Sequence, residues 1–265
     1  MLLKEKYGSL ALVAGASAGL GAAFSEYLAA SGIDLVMVAR NREKLGHYAA
    51  SLSDKFGIRT YPLCCDLSDY DATEKIMKEV EGRDIGILVY NAALSFIGPF
   101  EKDTPEHCNR IAVANMVTPL NLVKILGEAM LERKRGAIIL MASMAGFQGS
   151  GFLTTYASTK AFNRVFAESL WYEWKDRGVD VMACCAGATS TENYLDTNPG
   201  SSGFFAPRVT TPAEVVSECL SRLGTTPSFV AGAGNRVATF FMHRLLTRKM
   251  AVRIMGDNTR KIYRL

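Results

Sequence analysis

With 265 residues and 49% hydrophobic content, the chain can bury a sizeable core as one α/β domain and is too apolar for disorder. Six cysteines without a CxxC element, and three scattered histidines, argue against a zinc site and against a disulfide framework, so no metal is expected. The net charge of +4 is unevenly placed: residues 236–265 hold eight Lys or Arg against one Asp, a net of +7, which leaves −3 for the remainder. No nucleic-acid motif accompanies that charge, so nucleic acid is not an expected partner.

Residues 1–6 lead directly into the first strand, leaving no room for a signal peptide, and no apolar run is long enough to cross a bilayer. A cytoplasmic protein is expected. The pairs Cys64-Cys65 and Cys184-Cys185 sit in strand-like runs, where neighbouring side chains face opposite ways, and buried reduced thiols are expected there. No internal repeat or linker divides the chain, so residues 1–265 read as a single domain.

Residues 9–14 form an apolar strand that ends in Gly15-Ala16-Ser17-Ala18-Gly19-Leu20-Gly21, and a helix carrying Phe24, Tyr27 and Leu28 on one side follows. Glycines let a backbone approach a pyrophosphate, and the free amides and dipole of a helix start meet its charge. Gly15, Ser17, Gly19, Leu20 and Gly21 are therefore candidate dinucleotide contacts, with tight packing as the alternative. Leu20-Gly21-Ala22 excludes a Walker A loop.

The second strand, residues 34–38, runs into Ala39-Arg40-Asn41-Arg42, where an NAD-selective site places a carboxylate for the ribose hydroxyls. Here that acid is missing. Arg40 offers a permanently charged fork to a 2′-phosphate, which points to NADP(H) over NAD(H), unless these charges merely solvate a helix start. A third strand over 58–65 ends in Asp66-Leu67, where Asp66 either hydrogen-bonds an adenine amino group or caps the helix expected at 69–81. A fourth strand, 85–90, closes on Asn91-Ala92-Ala93, and one long helix over 104–132 carries Asn115 in its middle. The simplest role for that amide is a structural hydrogen bond. A fifth strand over 137–141 leaves Ser143 just past its carboxyl end, the edge where open α/β sheets bind ligands.

Tyr156 and Lys160 lie four residues apart on the next helix and share a face, so an ammonium can sit beneath a phenol. A free tyrosine titrates near ~10. A neighbouring cation is the simplest way to lower that value and make an acid-base for neutral pH. An ordinary exposed helix face is the alternative.

Taken together, these stretches resemble the classical short-chain dehydrogenase/reductase family over nearly the whole chain. Gly15, Gly19 and Gly21 match its glycine pattern, Asp66 its adenine-contacting acid, Asn91 its asparagine after the fourth strand, and Asn115, Ser143, Tyr156 and Lys160 its catalytic tetrad in order. Gly187 and Thr191 match its nicotinamide-side motif after a sixth strand over 179–185. Ala14, Ala93 and Ala186 depart from the usual threonine, glycine and proline. The resemblance implies a Rossmann-type doubly wound domain with a seven-stranded parallel sheet and helices on both faces. It also implies that Leu67 and Thr189 join the cofactor contacts. Ser143 and Tyr156 would hydrogen-bond a carbonyl oxygen while nicotinamide delivers a hydride, and Tyr156 would supply the proton. Lys160 would lower the Tyr156 pKa and bind the nicotinamide ribose, and Asn115 would hold a water leading to solvent.

The substrate loop over 187–210 and the loop after the fifth strand are rich in rings. Phe96, Phe147 and Tyr194 are the leading wall candidates, with Phe204 and Phe205 beside them and Phe152 divided between wall and core. Glu192, Asp196 and Arg208 are the few charges nearby. A bulky apolar ketone or secondary alcohol fits such a lining, with a steroid-like alcohol first and a 3-oxoacyl thioester as the alternative. A sensor or scaffold that binds a dinucleotide without turnover is the competing class. Phe162, Phe166, Leu170, Trp171 and Trp174 stripe the helix after Tyr156, which points to a homodimer or homotetramer as well as to core packing. A helix over 211–223 and a seventh strand over 228–231 precede a basic helical extension, 234–265, carrying Val237, Phe240, Phe241, Leu245 and Leu246. It packs on the body, helps receive a hydrophobic substrate, or lies on an anionic membrane surface.

Overall fold

A computed structural model describes residues 2–197 and 209–265. Seven strands form one sheet: β1 (Leu10–Ala14), β2 (Asp34–Ala39), β3 (Thr60–Cys64), β4 (Ile87–Tyr90), β5 (Gly136–Ser143), β6 (Val179–Ala186) and β7 (Ser228–Val230). Their order is β3-β2-β1-β4-β5-β6-β7, and every pairing is parallel. The chain therefore winds outward in one direction from β1 to β3 and in the other from β4 to β7. Such a reversal opens a crevice at the carboxyl edge between β1 and β4.

The helices follow from that winding, because parallel strands need crossovers on the sheet faces. One face carries α2 (Gly19–Ala30), α3 (Arg42–Phe56) and α9 (Pro212–Arg222); the other carries α4 (Ala72–Glu79), α6 (Thr118–Glu132) and α7 (Thr154–Trp174). Alternation along each strand feeds both cores. Ala11 and Val13 of β1 pack with Phe24, Leu28 and Leu45, whereas Leu12 and Ala14 pack with Ile76, Leu122 and Leu126. Cys184 and Cys185 likewise divide between the two faces, as expected from their adjacency.

Several local expectations need correction. The first strand is preceded by a short helix, α1 (Leu3–Tyr7), whose Tyr7 is buried and donates to Asp180 at 2.7 Å. Cys64 is exposed and donates to the Arg40 carbonyl at 3.2 Å, so only its neighbour Cys65 is a buried thiol. Ser143 is the last residue of β5, because the strand runs on to pair with β6 as far as Ala186. The long helix is interrupted: α5 (Pro105–Ala112) passes through a π-helical turn, Val113–Val117, before α6 begins. Asn115 occupies that turn.

The aromatic stripe of α7 is largely core. Phe166, Leu170 and Trp171 pack against the buried cluster, and the Trp174 ring fills the space a side chain at Gly127 would need. The extension forms two helices, α10 (Ala233–Arg244) and α11 (Arg248–Tyr263). Of the apolar residues expected to cover it, Val237, Phe240, Phe241 and Leu245 remain exposed. Between β6 and α9 lies α8 (Glu192–Asp196); Phe204, Phe205 and Arg208 fall outside the described residues. Among the described residues, no helix is long and apolar enough to cross a membrane.

Candidate active site

The crevice at the carboxyl edge is a cleft of about 310 Å³ that runs from Arg40 to Tyr156. Its floor is the turn between β1 and α2. A Cβ at Gly21 would stand 1.9 Å from the Gly15 carbonyl oxygen, so only glycine permits this close return of the chain. Gly19 adopts φ +54°, and a Cβ there would meet Thr191 at 2.9 Å. Helix α2 begins without a side-chain cap and with no acid in its first turn, whereas Asn41, Thr104, Thr211 and Thr247 cap α3, α5, α9 and α11. Uncapped amides at the mouth of a cleft form a receptor for an anion. Asn91 completes the floor by donating to the Gly15 carbonyl at 3.2 Å.

At the far end, Arg40 and Asp66 stand at the carboxyl ends of β2 and β3. Burial pushes the Asp66 carboxyl up, but hydrogen bonds from Ser68 and the charges of Arg40 and Arg110 outweigh it and hold the group below its ordinary range. Asp66 accepts from the Ser68 amide and hydroxyl at 2.9 and 2.8 Å and from Arg110 at 3.1 Å. It therefore shapes its own turn while facing the cleft, and Asp71, not Asp66, precedes α4. Leu67 lies beside it, with its carbonyl held by Thr118 at 2.9 Å.

Tyr156 closes the other end. Its phenol is hydrogen-bonded by Ser143, which joins β5 to α7 at the point where chemistry is expected. Lys160 is buried one turn on, with Nζ 5.6 Å from the Tyr156 ring centroid and donating to the Met141 carbonyl at 2.7 Å. Burial lowers its pKa to about 8. The Tyr156 pKa moves opposite to expectation: burial raises it, the Ser143 hydrogen bond pulls it down by less, and Tyr263 adds to the rise. Desolvation is the largest of these effects, and the Lys160 amine beside the ring is itself hydrogen-bonded to the Met141 carbonyl.

The Asn115 amide is fully engaged. It accepts from the Leu94 amide at 2.8 Å and donates to the Leu94 carbonyl at 2.9 Å and to Thr159 at 3.0 Å. Thr159 in turn donates to the Tyr156 carbonyl at 2.8 Å. A structural hydrogen bond, the simplest sequence reading, is thus present, and it ties the loop after β4 to the helix that carries Tyr156. The Tyr90 hydroxyl supports the same turn by donating to the Ala114 carbonyl at 2.5 Å.

Gly187 and Thr189 follow β6, where Thr189 is buried and bridges to Thr210. Ser17, Leu20 and Thr191 line the cleft with Gly15 and Gly19, but Phe96, Phe147 and Tyr194 do not. Phe96 packs edge-on to His107, and Phe147 is held between Arg164 and His243. Sequence reasoning missed Ser68, Arg110 and Thr159, which act by holding others and carry no motif of their own. It also missed the pairing of Lys44 with Glu192 at 2.5 Å, which links α3 to α8.

A family model described as short chain dehydrogenase matches residues 9–201. The chain belongs to the short-chain dehydrogenase/reductase family. Members of this family are NAD(P)-dependent oxidoreductases of alcohols and carbonyl compounds, and this protein is such an enzyme. Among its relatives, a 7β-hydroxysteroid dehydrogenase of Collinsella aerofaciens is 34% identical over 260 residues, which cover 97% of this chain and 98% of the relative. A solved 7β-hydroxysteroid dehydrogenase structure superposes with a TM-score of 0.91 at 32% identity, covering 96% of this chain and 99% of the other. A short-chain dehydrogenase from Sphingobium yanoikuyae in complex with NADPH superposes with a TM-score of 0.75 at 29% identity, covering 84% and 86%.

Proposed function

We propose that this short-chain dehydrogenase uses NADP(H) to interconvert a bulky, apolar secondary alcohol and its ketone, with a steroid-sized compound as the substrate. The observation that carries the cofactor reading is Arg40 at the cleft end of β2, with Ala39 before it and no carboxylate where a ribose-selective acid would stand. The uncapped start of α2 fits the pyrophosphate, and the Sphingobium structure with NADPH supports the same reading. The steroid-sized substrate draws on the names of the Collinsella relative and of the superposed dehydrogenase.

When bound, the nicotinamide supplies or accepts the hydride. Ser143 and Tyr156 present their hydroxyls to one substrate oxygen, and Tyr156 gives up its proton as that oxygen gains charge. A phenol held protonated by burial suits reduction at neutral pH, since a nascent alkoxide is far more basic than a phenolate. Lys160 keeps a cation close to the phenolate left behind, and Asn115 holds the geometry of α7 through Thr159. In this reading the protein is a single domain, residues 187–210 cover the substrate, and residues 234–265 form an appended element. Self-association as a homodimer or homotetramer completes the proposal.

The test offers purified protein NADPH or NADH with ketones that include steroids, acyl thioesters and sugars, and follows the loss of nicotinamide absorbance. Preference for NADPH and for bulky apolar ketones is expected. Arg40→Asp should cut the NADPH preference by roughly 10- to 100-fold, the worth of a charge-assisted pair replaced by repulsion. Turnover confined to small anionic compounds would overturn the substrate reading, and binding without any turnover would favour the sensor.

A further inference from the structure

Helix α11 does not hang free of the body. It lies across the loop that follows β5, where a Cβ on Gly151 would be in ordinary contact with the Gly256 Cα, at 3.5 Å. Val252 approaches Gly149 in the same way, at 3.6 Å. Around this seam Arg260 stacks over the Phe152 ring at 5.2 Å, and Arg248 donates to the Phe147 carbonyl at 2.9 Å. Phe152 has φ +64° and its carbonyl accepts from the Gly98 amide at 2.9 Å, so the strained residue beneath Arg260 also joins the loops after β4 and β5.

The last residue of that helix is Tyr263, which is half-buried. Its hydroxyl hydrogen-bonds Thr197 just beyond α8, and its phenol lies within electrostatic reach of both Tyr194 and Tyr156. Tyr263, on the last turn of α11, thus lies on the Tyr156 side of the molecule, near enough for its phenol to perturb that of Tyr156.

We propose that Tyr263 is a specificity-determining residue, which closes the substrate end of the cleft with its ring and makes the fit of a bulky ketone depend on the docking of α11. The proposal rests on the reading of Ser143 and Tyr156 as the ketone-binding pair and adds to it a wall that the family motifs do not supply. The Tyr263 ring provides apolar area against a large substrate and nothing against a small one. Its hydroxyl, through Thr197, holds α8 and α11 together at the rim.

The test compares full-length wild type, Tyr263→Phe, Tyr263→Ala and the exposed-face control Arg253→Gln, using NADPH with cyclohexanone, a decalone and a steroid ketone. Tyr263→Ala should raise KM for the steroid ketone at least tenfold, while KM for cyclohexanone and for NADPH stays within about threefold. Tyr263→Phe should keep the steroid KM within about threefold and move the alkaline limb of the reduction profile to lower pH, because removing the second phenol lets Tyr156 ionise more readily. Arg253→Gln should match wild type. Equal KM changes for large and small ketones, or an unmoved pH limb together with an unmoved steroid KM in both Tyr263 variants, would overturn the proposal. Calorimetric titration of the steroid ketone into the NADP⁺-loaded proteins reads the same wall without turnover. A wild type that binds the ketone but does not reduce it would therefore count against the proposed function alone.

Discussion

At the residue scale, the decisive group is a phenol held between a serine and a buried lysine. Tyr156→Phe removes the proton but leaves the ring, so turnover should fall by roughly 10²- to 10⁴-fold while NADPH affinity changes by less than about threefold. Single-turnover kinetics beside a fluorescence titration would separate the two, and near-normal turnover would refute the role. Lys160 carries the pH dependence. Its pKa is lowered to about 8 in the folded protein from 10.5, so between these values the unfolded chain holds a proton that the folded chain lacks, and stability rises with pH. Below pH 8 both states are protonated and the cost of the buried ammonium stands in full. Lys160→Met should therefore gain on wild type near pH 7, by up to about 3 kcal/mol, and lose that advantage by pH 10. Urea denaturation at the two pH values measures the difference, and a pH-independent difference would contradict it. The motif spacing of Tyr156 and Lys160 was legible in the sequence. The direction of the Tyr156 shift was not, because it depends on how far the folded chain buries the phenol.

At the element scale, the turn from β1 into α2 and the π turn around Asn115 set the two ends of the site. Gly21→Ala places a methyl 1.9 Å from the Gly15 oxygen and 2.7 Å from the Asn91 amide nitrogen, so the turn must open. A loss of NADPH affinity of about 100-fold or more is expected, with a stability cost of roughly 1–3 kcal/mol. Titration and thermal melting test both, and an unchanged dissociation constant would show that the turn does not seat the cofactor. The π turn was invisible in advance. Residues 105–132 carry a continuous helical pattern, and the extra residue in the turn is stabilised by partners remote in sequence, Leu94, Thr159 and Tyr90. π-bulges recur at functional sites because they re-aim a side chain without ending the helix.

At the scale of the whole molecule, α6 and α7 leave Leu120, Ile125, Val165 and Tyr172 exposed even after Trp174 and its neighbours have filled the core. Self-association through these helices is expected, so light scattering should give a multiple of 28.8 kDa. Val165→Asp with Tyr172→Asp should shift the protein towards monomer, since unpaired charges in an apolar interface cost several kcal/mol. A monomer in the unaltered protein at micromolar concentration would contradict the expectation. The basic charge belongs to another part of the chain, the extension after β7, whose helix α10 also leaves Val237, Phe240 and Phe241 exposed.

The order of strands and glycine turns, the Arg40 that stands where an acid is missing, and the Ser143-Tyr156-Lys160 series were determined by the amino-acid sequence itself. Those features depend on local period, backbone freedom and side-chain chemistry, all of which act over a few residues. Where Phe147 points, how Asn115 is engaged, and that α11 docks on the loop after β5 were decided only by the tertiary structure. Each of these depends on contacts between segments tens to a hundred residues apart, and such contacts leave no periodic trace in the chain that makes them.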